Sequence, residues 1–414
     1  MSNDLFTAKN EIHKTLHLCN LCTRCMGISF IDDPPSNLFS KLKIHMTFVI
    51  TTMAVVAMVA GEIAYVTSLL LNSTSVAEFV ASLHIVGYGC MSIGKVMTLW
   101  YKSNVFRQLV IELAEIWPVS IKDNDALEIK QASLTALRLS QLSYSLFNIL
   151  GLLFYNVTPM VVFLYRMFIG IEADLGYVWH INYPFDKSKP VNHALVYIFE
   201  AYAGLGSVWA MLGTDLMFTT MASHICMLLR VLQVKIRNFP TTESPSAVEA
   251  DSGLTNTCDC YADITSAIKI HQRLIKYAND LENAFSVSNL INVILSSINI
   301  CCVMFSIVFL DPWMEISNKL FLGAALTQVG ILCWYADDIY RASIGVADAA
   351  YESGWYKGNI RCRHALLLLI QRSQKPLYFT SMKFHAITLT TYTSILTTSY
   401  SYFTLLYTAY RSSG

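Results

Sequence analysis

The chain has 414 residues, of which 54% are hydrophobic and only 14% charged, and its 29 basic side chains balance its 29 acidic ones. A soluble globular domain carries roughly 25% charged residues, so an ordinary soluble fold is excluded, and the mean hydropathy of +0.45 points to a polytopic membrane protein. Zero net charge and the lack of a basic tract exclude nucleic acid as a partner.

The N-terminal stretch "MSNDLFTAKNEIHKTLHLC" mixes acids and bases and has no early apolar core, so it does not read as a secretory leader. Membrane insertion is expected to rely on internal spans. The following "CNLCTRC" places Cys19, Cys22 and Cys25 at a spacing that resembles part of an iron–sulfur or zinc site. A fourth ligand would have to be His13 or His17, because the next cysteine, Cys90, lies inside a span. The plainer reading is small residues buried on an N-terminal helix, with no metal and no cofactor.

Crossing the hydrocarbon takes about 20 mostly apolar residues. Seven stretches qualify, at approximately 46–71, 76–101, 141–171, 193–223, 285–310, 319–341 and 383–408. The expected fold is therefore all-α, with seven transmembrane helices. Residues 1–45 form an N-terminal segment, 46–235 hold spans 1–4 and an extension of span 4, and 236–262 form a disordered loop. Residues 263–382 carry spans 5–6 and anchor helices, and 383–414 hold span 7 and a short tail.

Span 4 runs on through "MASHICMLLRVLQVKIRNF" beyond the reach of a bilayer. Ahead of span 5, Ile268, Leu274, Ile275, Ala278, Leu281 and Phe285 share one helical stripe, and "IRCRHALLLLIQR" gives a further helix before span 7. Together they predict a cytoplasmic helical bundle suited to subunit assembly. The segment 239–262, rich in Pro, Ser, Thr and acids, predicts disorder.

Lysine and arginine set the orientation, because cytoplasmic loops carry the excess. Five lie in the N-terminal segment, five after span 2, six between spans 4 and 5, and seven from Arg341 to Lys383, giving 23 on one side. Only Lys187, Lys189, Lys319 and Arg411 fall on the other. The N-terminus is expected inside and the C-terminus outside, the reverse of a G-protein-coupled receptor. Asn72, in an Asn-Ser-Thr acceptor, then falls in an outer loop as a glycosylation site. None of the eleven cysteines lies in an outer loop, so no extracellular disulfide is expected. The odd number of spans also weighs against a transporter built from inverted repeats.

Charges inside spans are candidates for function. Glu62, Lys95, Glu200, Asp215, Asp337 and Asp338 are such charges, and the alternative reading is mutual pairing, which suits Asp337 and Asp338 best. No Ser–His–Asp set or phosphate loop occurs, so no catalytic residue and no enzyme is expected.

From near His385 the last span, with "TTSYSYFTLLYTAY", contains no Asp, Glu, Lys or Arg before Arg411 yet is dense in hydroxyls. On a helix, Ser394, Thr398, Ser401, Leu405 and Thr408 follow 4-3-4-3 spacing and share one face, with Tyr392, Leu396, Phe403, Leu406 and Tyr410 opposite. That face suits a water-filled pore with one apolar constriction, closed by dewetting at Leu405. The same pattern also suits a packed helix whose hydroxyls bond back to their own backbone.

The stretch "LCWYADDIYRASIGVADAAYESGWY" with "RHALLLLIQRSQKPLYFTSMKFHAITLTTYTSILTTSYSYFTLL" resembles insect odorant receptors, as do "IHQRLIKYANDLENAF", "YPFD" and "TDLMFTTMASHI". The resemblance covers essentially the whole chain. It implies a tetrameric, odorant-gated, non-selective cation channel in the plasma membrane, passing Na, K and Ca ions through one pore lined by each last helix. Leu405 would be the gate, with Ser394, Thr398, Ser401 and Thr408 lining the pore. The Thr-Tyr…Gln-Phe signature of gustatory receptors is absent, since Thr391-Tyr392 is followed five residues later by Thr398-Ser399. The short loop between spans 4 and 5 marks a tuning subunit that pairs with a co-receptor in a heterotetramer; the alternative is a self-sufficient homotetramer. The family's pocket among spans 2, 3, 4 and 6 would place Leu83, Tyr88, Phe154, Tyr155, Thr158, Tyr202, Leu205, Trp209, Thr327 and Ile331 near a small, largely apolar volatile, surrounded by membrane lipid.

Overall fold

The structure is a computed structural model that describes residues 2–30, 37–72, 76–170, 176–179, 181, 183, 185, 189–239, 255–309 and 315–413. Eleven α-helices carry almost all of them: α1 (Ser2–Thr15), α2 (His17–Cys25), α3 (Leu38–Leu71), α4 (Val76–Tyr101), α5 (Ser103–Ile116), α6 (Asn124–Phe168), α7 (Pro190–Arg237), α8 (Thr255–Phe309), α9 (Glu315–Glu352), α10 (Ile360–Ser373) and α11 (Leu389–Ser413). The protein is an all-α, multi-pass membrane protein. Six helices, α3, α4, α6, α7, α8 and α9, are long and apolar enough to cross a membrane. The 25-residue α11 has the length, but its Ser, Thr and Tyr keep it outside that set.

Local chemistry sets the helix ends. Asp123 caps α6, its carboxylate accepting from the Asp125 backbone N–H at 3.0 Å, and Pro190 occupies the first turn of α7, where no N–H is needed. The last span starts later than its sequence suggests. Residues 383–388 are not helical: Thr380–Ser381 (β1) pairs antiparallel with His385–Ala386 (β2) around Met382 and Lys383, both with positive φ. That left-handed turn breaks the helix, and α11 resumes only at Leu389. Conversely, α8 already begins at Thr255, inside the segment expected to be a loop; residues 240–254 lie outside the described residues.

The 48 residues of α7 reach about 70 Å at 1.5 Å per residue, so the helix extends past the membrane as the sequence implied. It is the axis of the bundle. From Ala210 to Leu229 nearly every side chain is buried, polar ones such as Thr214, Thr220 and His224 included. A helix buried on all sides has no amphipathic stripe, because neighbours surround it.

At the basic end of the bundle, α1 and α2 fold back against α7. Thr15 Oγ1 lies 2.9 Å from His224 Nε2, and the Cys19 thiol donates to the Gly213 carbonyl at 3.2 Å. Glu11 accepts from Lys130 Nζ and Trp117 Nε1, each at 2.7 Å, and ties α1 to α6. On the N-terminal stretch of α8, Leu274, Ala278, Leu281 and Phe285 are buried and Ile268 and Ile275 half-buried, so the expected stripe faces the core. It is one continuous helix with span 5. Helices α8 and α11 run parallel: Thr380 meets Glu282, Ser399 meets Ser297, and Tyr410 packs on Phe305. Spans 5 and 7 therefore start from the same side.

One carboxylate ties four of the membrane helices together. Asp215 on α7 takes Lys95 Nζ of α4 at 2.6 Å, the Tyr144 hydroxyl of α6 at 2.6 Å and Gln328 Nε2 of α9 at 3.0 Å. The lysine side chain is 1% exposed and the aspartate 15%. Asp337 and Asp338 also pair, with Arg341 at 2.7 Å and with Arg230 respectively. Breaking a buried ion pair costs about 3–5 kcal/mol, because the surviving charge stays buried alone, whereas replacing both partners by apolar residues is often neutral. Asp215→Asn should therefore abolish or strongly lower the yield of folded, monodisperse protein in detergent. The double variant Lys95→Met/Asp215→Leu should recover most of it; equal losses in both would show that the pair does not hold the bundle.

Candidate ligand cavity

A small cavity lies among α3, α4, α6, α7 and α9 and under the segment 176–179. Its walls are Met58 of α3, Ile85 and Tyr88 of α4, and Phe147, Asn148, Gly151, Leu152 and Tyr155 of α6. Gly204, Ser207 and Val208 of α7, Phe321 and Ala324 of α9, and Trp179 complete them. The room exists because small residues stand where helices meet: a Cβ at Gly204 would approach the Trp179 indole to 3.2 Å. The walls are mostly aromatic and aliphatic, with a few polar groups of fixed orientation, which is the usual make-up of a small-molecule site.

Those polar groups are already engaged. The Tyr88 hydroxyl donates to Asn148 Oδ1 at 3.2 Å, and the Asn148 amide donates to the Tyr144 carbonyl at 2.9 Å. Tyr144 in turn reaches Asp215, so the cavity wall is linked by hydrogen bonds to the buried ion pair. At the opposite end the Tyr155 hydroxyl donates to Asn318 Oδ1 at 2.5 Å. Its ring stacks on Trp179 with centroids 5.2 Å apart, and Phe321 meets Tyr88 edge to face at 5.0 Å.

The segment over the cavity is held by a buried carboxylate. Glu200 Oε2 accepts the backbone N–H groups of Val178 at 2.9 Å and Trp179 at 3.0 Å, while Oε1 takes the Tyr183 hydroxyl at 3.0 Å. The Trp179 indole N–H donates to the Glu200 carbonyl at 3.2 Å. Four hydrogen bonds to one residue thus fix the indole that roofs the cavity.

Of the ten side chains expected near a ligand, Tyr88 and Tyr155 line this cavity. Thr327 and Ile331 line a second, more open groove between α6, α9 and α11, together with Trp334, Tyr335 and Tyr392. Leu83 packs instead into an outer cluster with Phe305, Phe403 and Tyr410. Tyr202 pairs with the Thr51 hydroxyl at 2.8 Å, Trp209 packs on the main core, Leu205 is half-buried, Phe154 is exposed and Thr158 donates back to the Phe154 carbonyl at 2.6 Å. These helices are apolar nearly all round, so periodicity gave no facing angle. Trp179, Gly151 and Gly204 escaped the sequence reading because a loop aromatic and single glycines carry no periodic signature.

On α11, Ser394, Ser401, Leu405 and Thr408 are exposed and Thr398 is half-buried, so the five share the outer face of the single chain. Leu405 is 67% exposed. Ser401 and Thr408 bond back to the Thr397 and Thr404 carbonyls at 2.9 and 2.8 Å. A hydroxyl bonded in this way still presents its lone pairs to whatever faces the helix. The opposite face packs on α8, with Phe309 against Tyr407 and Tyr410.

Asn72 is exposed just past the end of α3; Ser73 and Thr74 of its acceptor sequence, like Pro184 and Asp186 of the "YPFD" stretch, lie outside the described residues. Cys19 and Cys22 are buried and Cys25 half-buried, and burial, reinforced by Cys25, pushes the Cys22 thiol up to about 12. Among the described residues no group of three or more His, Cys, Asp or Glu is placed to hold a metal ion.

The model of the family described as 7tm Odorant receptor matches residues 75–400. Odorant receptor 85b of Drosophila melanogaster is 24% identical over 403 residues, covering 96% of this chain and the whole of that protein. Odorant receptor 13a of the same fly is 26% identical over 394 residues, 90% of each chain. Among solved structures, the insect olfactory receptor OR5 from Machilis hrabei superposes with a TM-score of 0.81 at 15% identity, covering 96% of this chain and 98% of its own. The same receptor in complex with eugenol gives 0.81 at 14% identity, over 98% and 100%. With a match spanning 326 residues and a shared fold from end to end, this chain belongs to the 7tm odorant receptor family.

Proposed function

We propose that the chain is the tuning subunit of an odorant-gated, non-selective cation channel, working in a heterotetramer with a co-receptor. The observation that carries this reading is the roofed aromatic cavity, hydrogen-bonded through Tyr88, Asn148 and Tyr144 to the ion pair that joins four membrane helices. A ligand there sits where a small change in shape is felt by the whole bundle. The ligand is a small, largely apolar volatile with one hydrogen-bonding group that meets Tyr88 or Asn148. OR5, whose fold this chain shares, has been solved with eugenol, a phenol of that general character.

Assembly is supported at the basic end. There α10, the link after it and the β1–β2 turn expose Leu367, Leu368, Tyr378 and Phe384, the last 83% exposed, and an apolar surface of this kind suits burial against neighbouring subunits. The pore is lined by the Ser394, Thr398, Ser401 and Thr408 face of α11, and Leu405 closes it. The orientation is N-terminus inside, with the basic helical ends in the cytoplasm. Gating is a population shift: a ligand opens the channel only by as much as it prefers the open arrangement.

Two substitutions test separate parts of this reading. Leu405→Ser places a hydroxyl in the dewetting constriction, and current without ligand should rise in cells that express it with a co-receptor. Unchanged basal current and unchanged permeation would remove Leu405 as the gate. Glu200→Gln keeps the size of the strap but loses a charge-assisted interaction worth about 1.5–3 kcal/mol, so the half-activating ligand concentration should rise roughly tenfold or more. Surface expression should stay unchanged. A dose–response curve that does not move would show that the Trp179 roof plays no part in binding.

A further inference from the structure

The buried face of α8 carries a feature that neither the cavity nor the pore uses. Asn289, Asn292, Ser296 and Asn299 follow 3-4-3 spacing on one stripe, and none is more than 3% exposed. Three of them hold a polar atom with no hydrogen-bond partner among the described residues: Asn289 Nδ2, Ser296 Oγ and Asn299 Oδ1. Buried polar atoms of native proteins are nearly always satisfied, by protein or by ordered water. Dry orphans in an apolar bundle would cost stability that an alanine or leucine at the same place would not.

The stripe meets two neighbours: Asn299 lies directly against α4, where Gly87 has no Cβ to collide with the carboxamide, and Asn292 turns toward Gln328 of α9. Polar side chains three or four residues apart on a helix stand about 5–6 Å from each other, the span that one water bridges. The stripe is also joined to the rest of the polar interior. Asn292 Oδ1 accepts from Gln328 Nε2 at 3.5 Å, Gln328 reaches Asp215 at 3.0 Å, and on the neighbouring flank of α8 Ser399 of α11 donates to the Ser297 carbonyl at 3.1 Å.

We infer that the stripe Asn289–Asn292–Ser296–Asn299 binds ordered water along the buried face of α8. Water there satisfies the orphan atoms and completes a polar contact from Asp215 along the helix on which α11 packs. A wet seam also re-forms after small sliding of α8, because water re-bonds where a direct side-chain pair would be broken. This inference does not depend on the ligand or on the channel reading.

Met91 reports on the seam. Its sulfur lies 3.4 Å from Asn299 Nδ2, it is 1% exposed, and it is absent from the apolar core clusters that hold the equally buried Met217 and Met227. X-ray radiolysis of the full chain in lipid nanodiscs generates hydroxyl radicals from bound water, and mass spectrometry then reads oxidation at each methionine. Met91 should be oxidised severalfold faster than Met217 and Met227, and Ser296→Val, which fills the seam with carbon, should slow Met91 alone. Labelling of Met91 no faster than that of the two controls would show a dry seam and overturn the inference. So would fast labelling that Ser296→Val leaves unchanged, since the water would then not be held by the stripe. The wild-type comparison decides by itself if the variant does not fold.

Discussion

The Lys95–Asp215 pair is the constraint on which the rest of the bundle depends. A lone charge in an apolar interior is expensive, and either partner without the other leaves one. Its requirement for a partner on a different helix therefore fixes α4 against α7, and the two further donors to Asp215, Tyr144 and Gln328, fix α6 and α9 to the same point. Apolar packing alone sets no such register, because lipid tails are as apolar as the side chains they would replace. The polar contacts specify which faces meet, and the apolar side chains then fill the space.

From that point the ligand cavity follows. Tyr144 and Asn148 stand one turn apart on α6, so the helix that delivers a hydroxyl to Asp215 also presents an amide to Tyr88 on the cavity wall. The roof is set from the other side, by Glu200 on α7, about four turns from Asp215 on the same helix. A single buried helix thus carries both the floor and the latch of the cavity. The cavity wall is joined to the ion pair through α6 itself, by Asn148 and Tyr144.

Much of this was legible in the sequence, and what was not has physical reasons. The long apolar runs located the membrane helices, and the uncommon length of α7 was visible because no breaker interrupts it. Intramembrane charges marked Lys95, Asp215 and Glu200, since such residues stand out in apolar runs; their partners could not be read, because pairing is a matter of three-dimensional register. The start of α11 was misplaced by six residues because its turn uses Met382 and Lys383 at positive φ, where a glycine or asparagine would have announced it. The cavity was only partly legible. Tyr88 and Tyr155 lie on its wall, but Thr327 and Ile331 face a separate groove, since helices buried on several sides show no single apolar stripe from which to read an angle.

The central claim is that a volatile in the cavity opens a cation pore directly. The most direct measurement is the current evoked by a panel of small volatiles in cells that express this chain with an odorant co-receptor, with G-protein signalling blocked and surface expression verified. A rapid, non-selective cation current that requires both chains, and that is lost on Tyr88→Ala while the co-receptor still responds to its own agonist, is the expected result. A response that vanishes when G-protein signalling is blocked, or a substrate-coupled flux without single-channel openings, would contradict it.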